Sequence, residues 1–233
     1  MKRVFGIIVA GGEGLRMNAG VRKQYLMLSG LPILTRTIRS FAASADIAEI
    51  VLVVPEADFA YCRRHVLAAH ASGKPVHLIA GGPHRQASVR NGLAAVSDAE
   101  ATVLIHDGVR PFVSRKHIRE CVDMAEKKGA CSLGVPVSDT VKQVAASGAV
   151  EHTLDRHGLW LAQTPQAFDL TEICRAHAEA QKIGFCGTDD ASLIERCGGR
   201  VHMIAGSPWN VKITTPADLK LAELILQCGL FRD

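Results

Sequence analysis

The strongest constraint on the fold is a repeated alternation of short apolar runs and helical patterns. The apolar runs cover residues 3–10, 49–54, 76–80, 102–106 and 130–135. Continuous apolar runs of this length are typical of strands that are buried on both faces of a sheet. Helical patterns follow the first four runs, starting near Pro32 and covering 57–71, 86–96 and 115–128. Such alternation predicts an α/β fold, a Rossmann-like three-layer sandwich with a mostly parallel central sheet.

The alternation stops after Pro136. Residues 137–165 contain short polar alternations that predict a hairpin turning at Ser147 and Gly148. A long excursion of this kind usually serves function or an interface, so we predict a protruding β-arm for dimer contact or for covering a site. Further helices are predicted over 170–182 and 189–197, strands over 201–205 and 211–214, and a last helix from Pro216. The whole chain, 1–233, is predicted to be one domain.

Composition excludes several classes of protein. The net charge is only +4 and aromatic residues make up 5%, which disfavours a nucleic-acid partner but suits a small anionic substrate. Seven cysteines lack metal-ligand spacing, so reduced thiols in a cytoplasmic protein are expected. No apolar run is long enough to cross a bilayer, and no membrane partner is expected.

The loop after the first predicted strand is rich in glycine and carries two cations, Arg16 and Lys23. It does not match the phosphate-loop motif, because Gln24 follows Lys23, and it does not match the dinucleotide motif, because Met17 replaces the third glycine. A glycine backbone can still approach a phosphate chain, and the two cations can share a triphosphate's charge. The alternative is a plain strand-to-helix connection with solvated charges.

Asp107 follows the fourth predicted strand directly, and Arg110 comes three residues later. A carboxylate at a strand end suits Mg²⁺ or a ribose hydroxyl. The alternative is an aspartate that caps a turn before Pro111. His106 is interpreted as structural.

Other polar residues in loops have weaker individual signals. Ser88 could bind a base or cap a helix, and Arg85 could meet a phosphate or be solvated. Lys212 is an unusual charge in an apolar segment. Asp189 and Asp190 could form a pair of carboxylates, but acids just after a cap such as Thr188 stabilise a helix N-terminus, and they are interpreted in this capping role.

The cations and the single strand-end carboxylate come without an activated serine, cysteine or histidine. This set favours phosphate chemistry that depends on positioning and electrostatics.

Five segments together carry a resemblance to a known family. AGGEGLRM with RKQYL, GGPHRQASVRNGL, HDGVRPF, DRHGLWLAQTPQAF and NVKITTPADL occur in the order found in 2-C-methyl-D-erythritol 4-phosphate cytidylyltransferases. The resemblance extends from residue 7 to about 226. It implies a homodimer that converts CTP and 2-C-methyl-D-erythritol 4-phosphate to 4-diphosphocytidyl-2-C-methyl-D-erythritol and diphosphate, in non-mevalonate isoprenoid biosynthesis.

The resemblance also implies roles for individual residues. The implied catalytic residues are Arg16, Lys23, Arg156 and Lys212. The implied nucleotide-binding residues are Ala10, Gly11, Gly12, Gly82, Ser88, Asp107 and Gly108, with Asp107 near Mg²⁺. The implied acceptor-binding residues are Arg110, Asp139, Thr140, Arg156 and Lys212, with Arg156 reaching in from the second subunit.

Two positions depart from the family pattern. Pro83 stands where a charged or polar residue is common, and Gly108-Val109 replaces the commoner Ala-Ala pair. The second departure leaves D-ribitol-5-phosphate cytidylyltransferase as an alternative, although the DRHGLW segment favours methylerythritol phosphate. From other classes, a dehydrogenase would need the glycine that Met17 replaces, and a non-catalytic nucleotide-binding regulator would not need a second phosphate-holding set.

Overall fold

The structure is a computed structural model, and it describes residues 2–12, 22–69 and 73–231. The strands are β1 (Val4–Val9), β2 (Met27–Leu28), β3 (Leu31–Pro32), β4 (Glu49–Val54), β5 (Val76–Ala80), β6 (Thr102–Asp107), β7 (Ala130–Pro136), β8 (Lys142–Val144), β9 (Val150–Thr153), β10 (Trp160–Asp169) and β11 (His202–Ala205). The helices are α1 (Ile33–Ala43), α2 (Phe59–Tyr61), α3 (Arg85–Ala94), α4 (Arg115–Lys128), α5 (Leu170–Lys182), α6 (Ala191–Arg196) and α7 (Pro216–Gln227). Short 3₁₀ turns cover Lys23–Tyr25 and Glu56–Asp58, and a π-helical segment covers Cys62–Leu67.

Seven strands form the central sheet in the order β11-β7-β10-β6-β1-β4-β5. β10 is antiparallel to both of its neighbours, β6 and β7, and every other pairing in this sheet is parallel. The expectation of a mostly parallel sheet in an α/β fold is therefore confirmed.

Helices cover both faces of this sheet, because its strands are apolar on both sides. Along β1, Ile8 packs with α1 and α4 on one face, whereas Ile7 and Val9 pack with α3, α5 and α6 on the other. A smaller apolar cluster joins α7 to Val109 and Phe112, which lie in the loop after β6. The loops at the carboxyl ends of the parallel strands lie at one edge of the sheet, which is where open α/β sheets bind ligands.

The antiparallel strand β10 is the main feature that the sequence pattern does not predict. Its first residues are exposed, and Gln163, Thr164 and Pro165 interrupt the apolar alternation where its pairing with β7 is irregular. The hairpin of β8 and β9 lies within residues 137–165 and turns near Gly148, as predicted.

Two further predictions need correction. Residues 211–214 are predicted to form a strand, but in the described structure they are not part of one. Val211 N donates to Trp209 O (2.8 Å), and Ile213 N donates to Val109 O (3.0 Å). The predicted helix over 57–71 is instead a 3₁₀ turn, one α-helical turn and the π-helical segment. Its last two predicted residues lie outside the described residues.

The apolar layer beneath α5 provides a test of the fold. Ile173 on α5 is fully buried, whereas Ile183 at the end of the same helix is 58% exposed. Ile173→Ala should lower the free energy of unfolding by about 2–5 kcal/mol, because it removes buried methyl groups and leaves a cavity. Ile183→Ala should change it by less than about 0.5 kcal/mol. Urea denaturation of both variants checks this, and equal losses would contradict the packing described.

Candidate active site

The carboxyl ends of β1 and β6 are adjacent, so the loops that follow them share one cavity of about 610 Å³. Of the residues predicted for nucleotide binding or catalysis, those that line this cavity are Ala10, Gly11, Gly12, Lys23, Gly82, Ser88, Asp107 and Lys212. Arg16, the other predicted cation of the glycine-rich loop, lies outside the described residues. Eight of the predicted residues therefore line one cavity.

Gly82 and Gly108 permit close packing around the cavity. A Cβ added at Gly82 would lie 2.6 Å from the Cβ of Ala87, and one added at Gly108 would lie 2.8 Å from the Cβ of Ala10. Neither position can therefore carry a side chain without a shift of backbone or neighbour.

Ser88 is buried beneath this cavity and holds the Gly82 loop. Its hydroxyl accepts a hydrogen bond from Gly82 N (3.0 Å) and lies 3.1 Å from His84 O, to which it can donate. The interpretation of Ser88 as a helix cap is not met, because the N-cap of α3 is His84, whose ring nitrogen accepts from Ala87 N.

Gln24 is a residue that the sequence argument did not single out. It is almost fully buried, and its Nε2 donates to Ala10 O (2.7 Å), which fixes the loop after β1 to the 3₁₀ turn that carries Lys23. A buried amide in a polar loop gives no pattern in the sequence, so no signal could have identified it.

The Asp107 carboxylate is the electrostatic centre of the site. It lies 3.1 Å from Arg85 Nε, 2.8 Å from Lys212 Nζ and 3.7 Å from Arg110 Nε. Burial alone would raise the pKa of Asp107, but these cations, led by Arg85 and Lys212, hold that pKa well below its ordinary value. Asp107 is therefore charged at neutral pH.

Arg85 is held between two carboxylates. Its Nη1 donates to Asp190 Oδ2 (2.8 Å) while its Nε donates to Asp107. Burial would lower the pKa of Arg85, but Asp190 and Asp107 outweigh it and raise that pKa above the ordinary value. The alternative of a solvated Arg85 is therefore not met.

Asp189 and Asp190 have different roles. Asp189 Oδ1 accepts from Ser192 N (3.0 Å), so it caps the start of α6 as interpreted. Asp190 makes no side-chain cap, and its carboxylate turns inward to Arg85. The capping interpretation was wrong for Asp190, because its carboxylate pairs with Arg85, which lies 105 residues earlier in the chain.

His106 and Thr164 hold the Asp107 backbone. Thr164 Oγ1 accepts from Asp107 N (3.0 Å) and lies 3.1 Å from His106 Nδ1, while His106 Nε2 lies 2.9 Å from Arg110 O. Burial lowers the pKa of His106 to about 4, so the ring is neutral at neutral pH. These contacts agree with a structural His106: Nε2–H donates to the carbonyl and Nδ1 accepts from the threonine hydroxyl.

A second cavity of about 220 Å³ adjoins the first. The two share Arg85, Asp107 and Lys212, and the second is also lined by Arg110, Thr188 and β10 residues that include Gln163 and Thr164. Asp107, Arg85 and Lys212 thus lie between the two cavities.

Three of the residues predicted to bind the acceptor substrate do not line these cavities in their own chain. Asp139, Thr140 and Arg156 lie on the arm, are exposed and line neither cavity. Arg156 donates a hydrogen bond to Ser138 O.

The donor set limits how a metal could be held. Within the described parts of the chain, no group of three or more histidine, cysteine, aspartate or glutamate side chains could hold an ion. Mg²⁺ is commonly bound through one or two carboxylates together with substrate phosphates. Asp107 fits that mode, because it is a strand-end carboxylate that faces the larger cavity.

Removal of the Thr164 hydroxyl tests the support of Asp107. Thr164→Val should lower the free energy of unfolding by about 1–3 kcal/mol, because it leaves the buried Asp107 N–H and a His106 nitrogen without their partner. Thr171→Val is the control, since its hydroxyl makes only an exposed contact. Chemical denaturation should show a clear loss for the first variant alone; similar losses for both would refute the network.

The chain is similar to known proteins over nearly its whole length. The family model described as IspD, 2-C-methyl-D-erythritol 4-phosphate cytidylyltransferase, matches residues 4–228. A protein of that name from Syntrophotalea carbinolica is 50% identical over 224 residues, 96% of each chain, and one from Geotalea uraniireducens is 45% identical over 97% of each. The structure of 4-diphosphocytidyl-2C-methyl-D-erythritol synthase from Anaerococcus prevotii superposes with a TM-score of 0.86 at 31% identity, covering 97% of this chain and 96% of the other. The chain therefore belongs to the 2-C-methyl-D-erythritol 4-phosphate cytidylyltransferase family.

Proposed function

We propose that this protein transfers a cytidylyl group from CTP to the phosphate of 2-C-methyl-D-erythritol 4-phosphate and releases diphosphate, a step of isoprenoid biosynthesis. The observation that carries the proposal is the Asp107 carboxylate with its three cations at the junction of two cavities. Two anionic substrates can meet there, one from each cavity. The names of the relatives supply the identity of both substrates.

The reaction needs charge control rather than a general base. A phosphate monoester has its second pKa near ~6, so it is largely dianionic at neutral pH and already nucleophilic. One of its oxygens attacks the α-phosphorus of CTP, the bond from that phosphorus to the bridging oxygen breaks, and diphosphate leaves with the electron pair. Cations must hold the two anions together and stabilise the leaving group.

The larger cavity is proposed to bind CTP. The backbone of Ala10, Gly11 and Gly12 would approach the phosphates, while Gly82 and Ser88 would shape the base pocket. Asp107 and Gly108 would lie beside the ribose, and Asp107 would hold Mg²⁺ together with the CTP phosphates. Bound there, Mg²⁺ would supply charge neutralisation for the triphosphate.

Lys23 and Arg16 are proposed to stabilise the charge that develops on the α-phosphate and the diphosphate. The position of Lys23 in the cavity lining supports its role, while Arg16 is proposed from the sequence motif alone. Pro83 also lines the cavity and has no N–H, so a donor to cytosine must come from a neighbouring residue.

The smaller cavity is proposed to bind the acceptor. Arg110 and Lys212 line it and can attract the phosphate of methylerythritol phosphate. The matching family model and the relatives described above carry the methylerythritol phosphate name, so the D-ribitol 5-phosphate alternative is not favoured.

We also propose a homodimer in which the arm of one subunit completes the acceptor site of the other. The arm exposes several large apolar side chains, among them Val150 (57%) and Leu161 (60%), which a partner subunit would cover. Asp139, Thr140 and Arg156 would then serve the second subunit, which is consistent with their distance from the cavities of their own chain.

A cytoplasmic location is proposed from the cysteines. The described thiols are all free, and three of them, Cys62, Cys121 and Cys131, are buried. None of the described helices is long and apolar enough to span a membrane.

Diphosphate release tests the proposed reaction. With CTP, Mg²⁺ and 2-C-methyl-D-erythritol 4-phosphate, the protein should release diphosphate at a rate well above that with D-ribitol 5-phosphate. Lys23→Ala should lower kcat by about 100- to 1000-fold, as is typical when a group that stabilises developing charge is removed. Release with neither acceptor, despite CTP binding, would favour a non-catalytic nucleotide-binding regulator and overturn the proposal.

Mixed dimers test the shared site. Lys23→Ala and Arg156→Ala homodimers should both be nearly inactive, each for a defect in a different part of the site. A mixture reassembled from the two should regain activity, because some sites then combine an intact Lys23 with an intact Arg156 from the other subunit. No gain over the separate variants, with subunit exchange verified by mass spectrometry, would place Arg156 in its own subunit's site or outside the site altogether.

A further inference from the structure

Two cations that touch Asp107 are held in very different ways. Arg85 binds Oδ1 of Asp107 through Nε and Oδ2 of Asp190 through Nη1, and the Asp190 side chain is only 2% exposed. Arg85 is therefore fixed by two carboxylates at once. A guanidinium can hold two such partners because its donors form a rigid planar fork.

Asp190 is itself fixed from several sides. Gln166 Oε1 accepts from Asp190 N (3.0 Å) and from Ala191 N (3.1 Å), while Gln166 Nε2 donates to Asp189 Oδ2 (2.7 Å). His177 Nε2 lies 3.3 Å from the second carboxylate oxygen of Asp190. The carboxylate is thus a rigid anchor rather than a mobile surface charge.

Gln86 also connects the start of α3 to the segment before α6. Gln86, the neighbour of Arg85, accepts from Gly187 N (3.0 Å) and donates to Phe185 O (3.1 Å). The start of α3 is thereby fastened to the segment that leads into α6, which limits any movement of Arg85 relative to Asp190.

Lys212 has no comparable anchor. Its ammonium lies 2.8 Å from Asp107 Oδ2, its side chain is 40% exposed, and within the described residues Asp107 is the one carboxylate in ion-pair range. A lysine ammonium on a flexible stem can exchange this partner for another anion at small cost. Lys212 also lines both cavities, so substrate phosphates can reach it.

We propose that Asp190 is a positioning residue: it anchors Arg85 on Oδ1 of Asp107, so that Lys212 is the cation that is exchanged. Oδ2 then keeps the longer contact with Arg110 Nε (3.7 Å) and can accept a metal ion or ribose. The inference rests on the proposed function, because it assumes that CTP with its metal binds beside Asp107. Arg85 is then a fixed counterion and not a phosphate ligand.

Removal of the Asp190 charge should change how Arg85 contacts Asp107. Without the Asp190 charge, the guanidinium can turn one edge, with two N–H groups, toward Asp107 and pair with both carboxylate oxygens, as arginine and carboxylate prefer. Oδ2 would then be blocked by Arg85. Metal binding should weaken and turnover should fall, although Asp190 itself does not touch substrate.

Asp190→Asn is the principal variant. Its Mn²⁺ affinity, measured by electron paramagnetic resonance with a non-hydrolysable CTP analogue, and its kcat should fall by about 10- to 100-fold, the range typical for residues that orient a metal ligand. Arg85→Lys should act in the same direction, because an ammonium keeps the charge but lacks the fork that spans both carboxylates. Asp190→Glu should recover part of the loss.

Asp46→Asn is the matched control. Asp46 is also a shielded carboxylate paired with an arginine, with its side chain 8% exposed and 2.8 Å from Arg119, but it precedes β4 at the opposite end of the sheet from the cavities. This variant should lower the melting temperature and leave Mn²⁺ affinity and kcat unchanged.

The outcomes separate the two proposals. A folded Asp190→Asn protein with wild-type Mn²⁺ affinity and kcat would overturn the positioning role, and if that variant does not fold, a wild-type result for Arg85→Lys would do the same. Wild-type protein that binds CTP and Mn²⁺ but transfers nothing would overturn the proposed function, while the Mn²⁺ comparison would still decide the role of Asp190.

Discussion

The site depends on the cost of burying the Asp107 carboxylate. The side chain is 9% exposed, and an ionised group so far out of water must be compensated by nearby positive charge and hydrogen bonds. That compensation comes from α3 through Arg85, from the loop after β6 through Arg110 and from the segment before α7 through Lys212. Folding brings these three parts of the chain together around Asp107. Two of the cations, Arg110 and Lys212, also line the smaller cavity, so charges that stabilise Asp107 are also placed to meet an anionic substrate.

β10, the one antiparallel strand of the described central sheet, provides further polar residues beside Asp107. β10 enters the sheet between β6 and β7, and its polar residues Gln163, Thr164 and Gln166 stand beside the strand end that carries Asp107. Thr164 holds the Asp107 backbone, and Gln166 holds the segment that carries Asp190. An apolar strand at this position would remove the polar side chains of β10 from the smaller cavity. The interruption of the apolar pattern in β10 is therefore part of the site.

Most of the fold can be read from the sequence wherever one local signal dominates. β4, β5, α4 and α5 have the predicted limits, because continuous apolar runs and amphipathic periods define them. The sequence does not predict strand β10, because its exposed start and polar centre resemble a loop. The strand prediction for residues 211–214 is wrong, because apolar residues also occur in extended segments that pack under a helix.

Some residues of the site could be predicted from the sequence, and others could not. Asp107 and the strand-end glycines were predicted from their place after a strand, where open α/β sheets bind ligands. Lys212 was predicted from its unusual charge in an apolar segment. Arg85 and Asp190 were not recognised as partners, because they lie 105 residues apart and each has an ordinary local interpretation. Asp190 follows Thr188 and Asp189 at a helix start, where capping is the usual role of an acid. Only the packing of α5 and α6 against α3 reveals the pair.

The central claim is that the Asp107 charge organises the cations between the two cavities. The most direct measurement is kcat and thermal stability of Asp107→Asn, which keeps the shape of the side chain and removes its charge. The account predicts a loss in kcat of at least about 100-fold, together with a lower melting temperature because Arg85, Arg110 and Lys212 then repel one another. Unchanged turnover and stability would contradict the account.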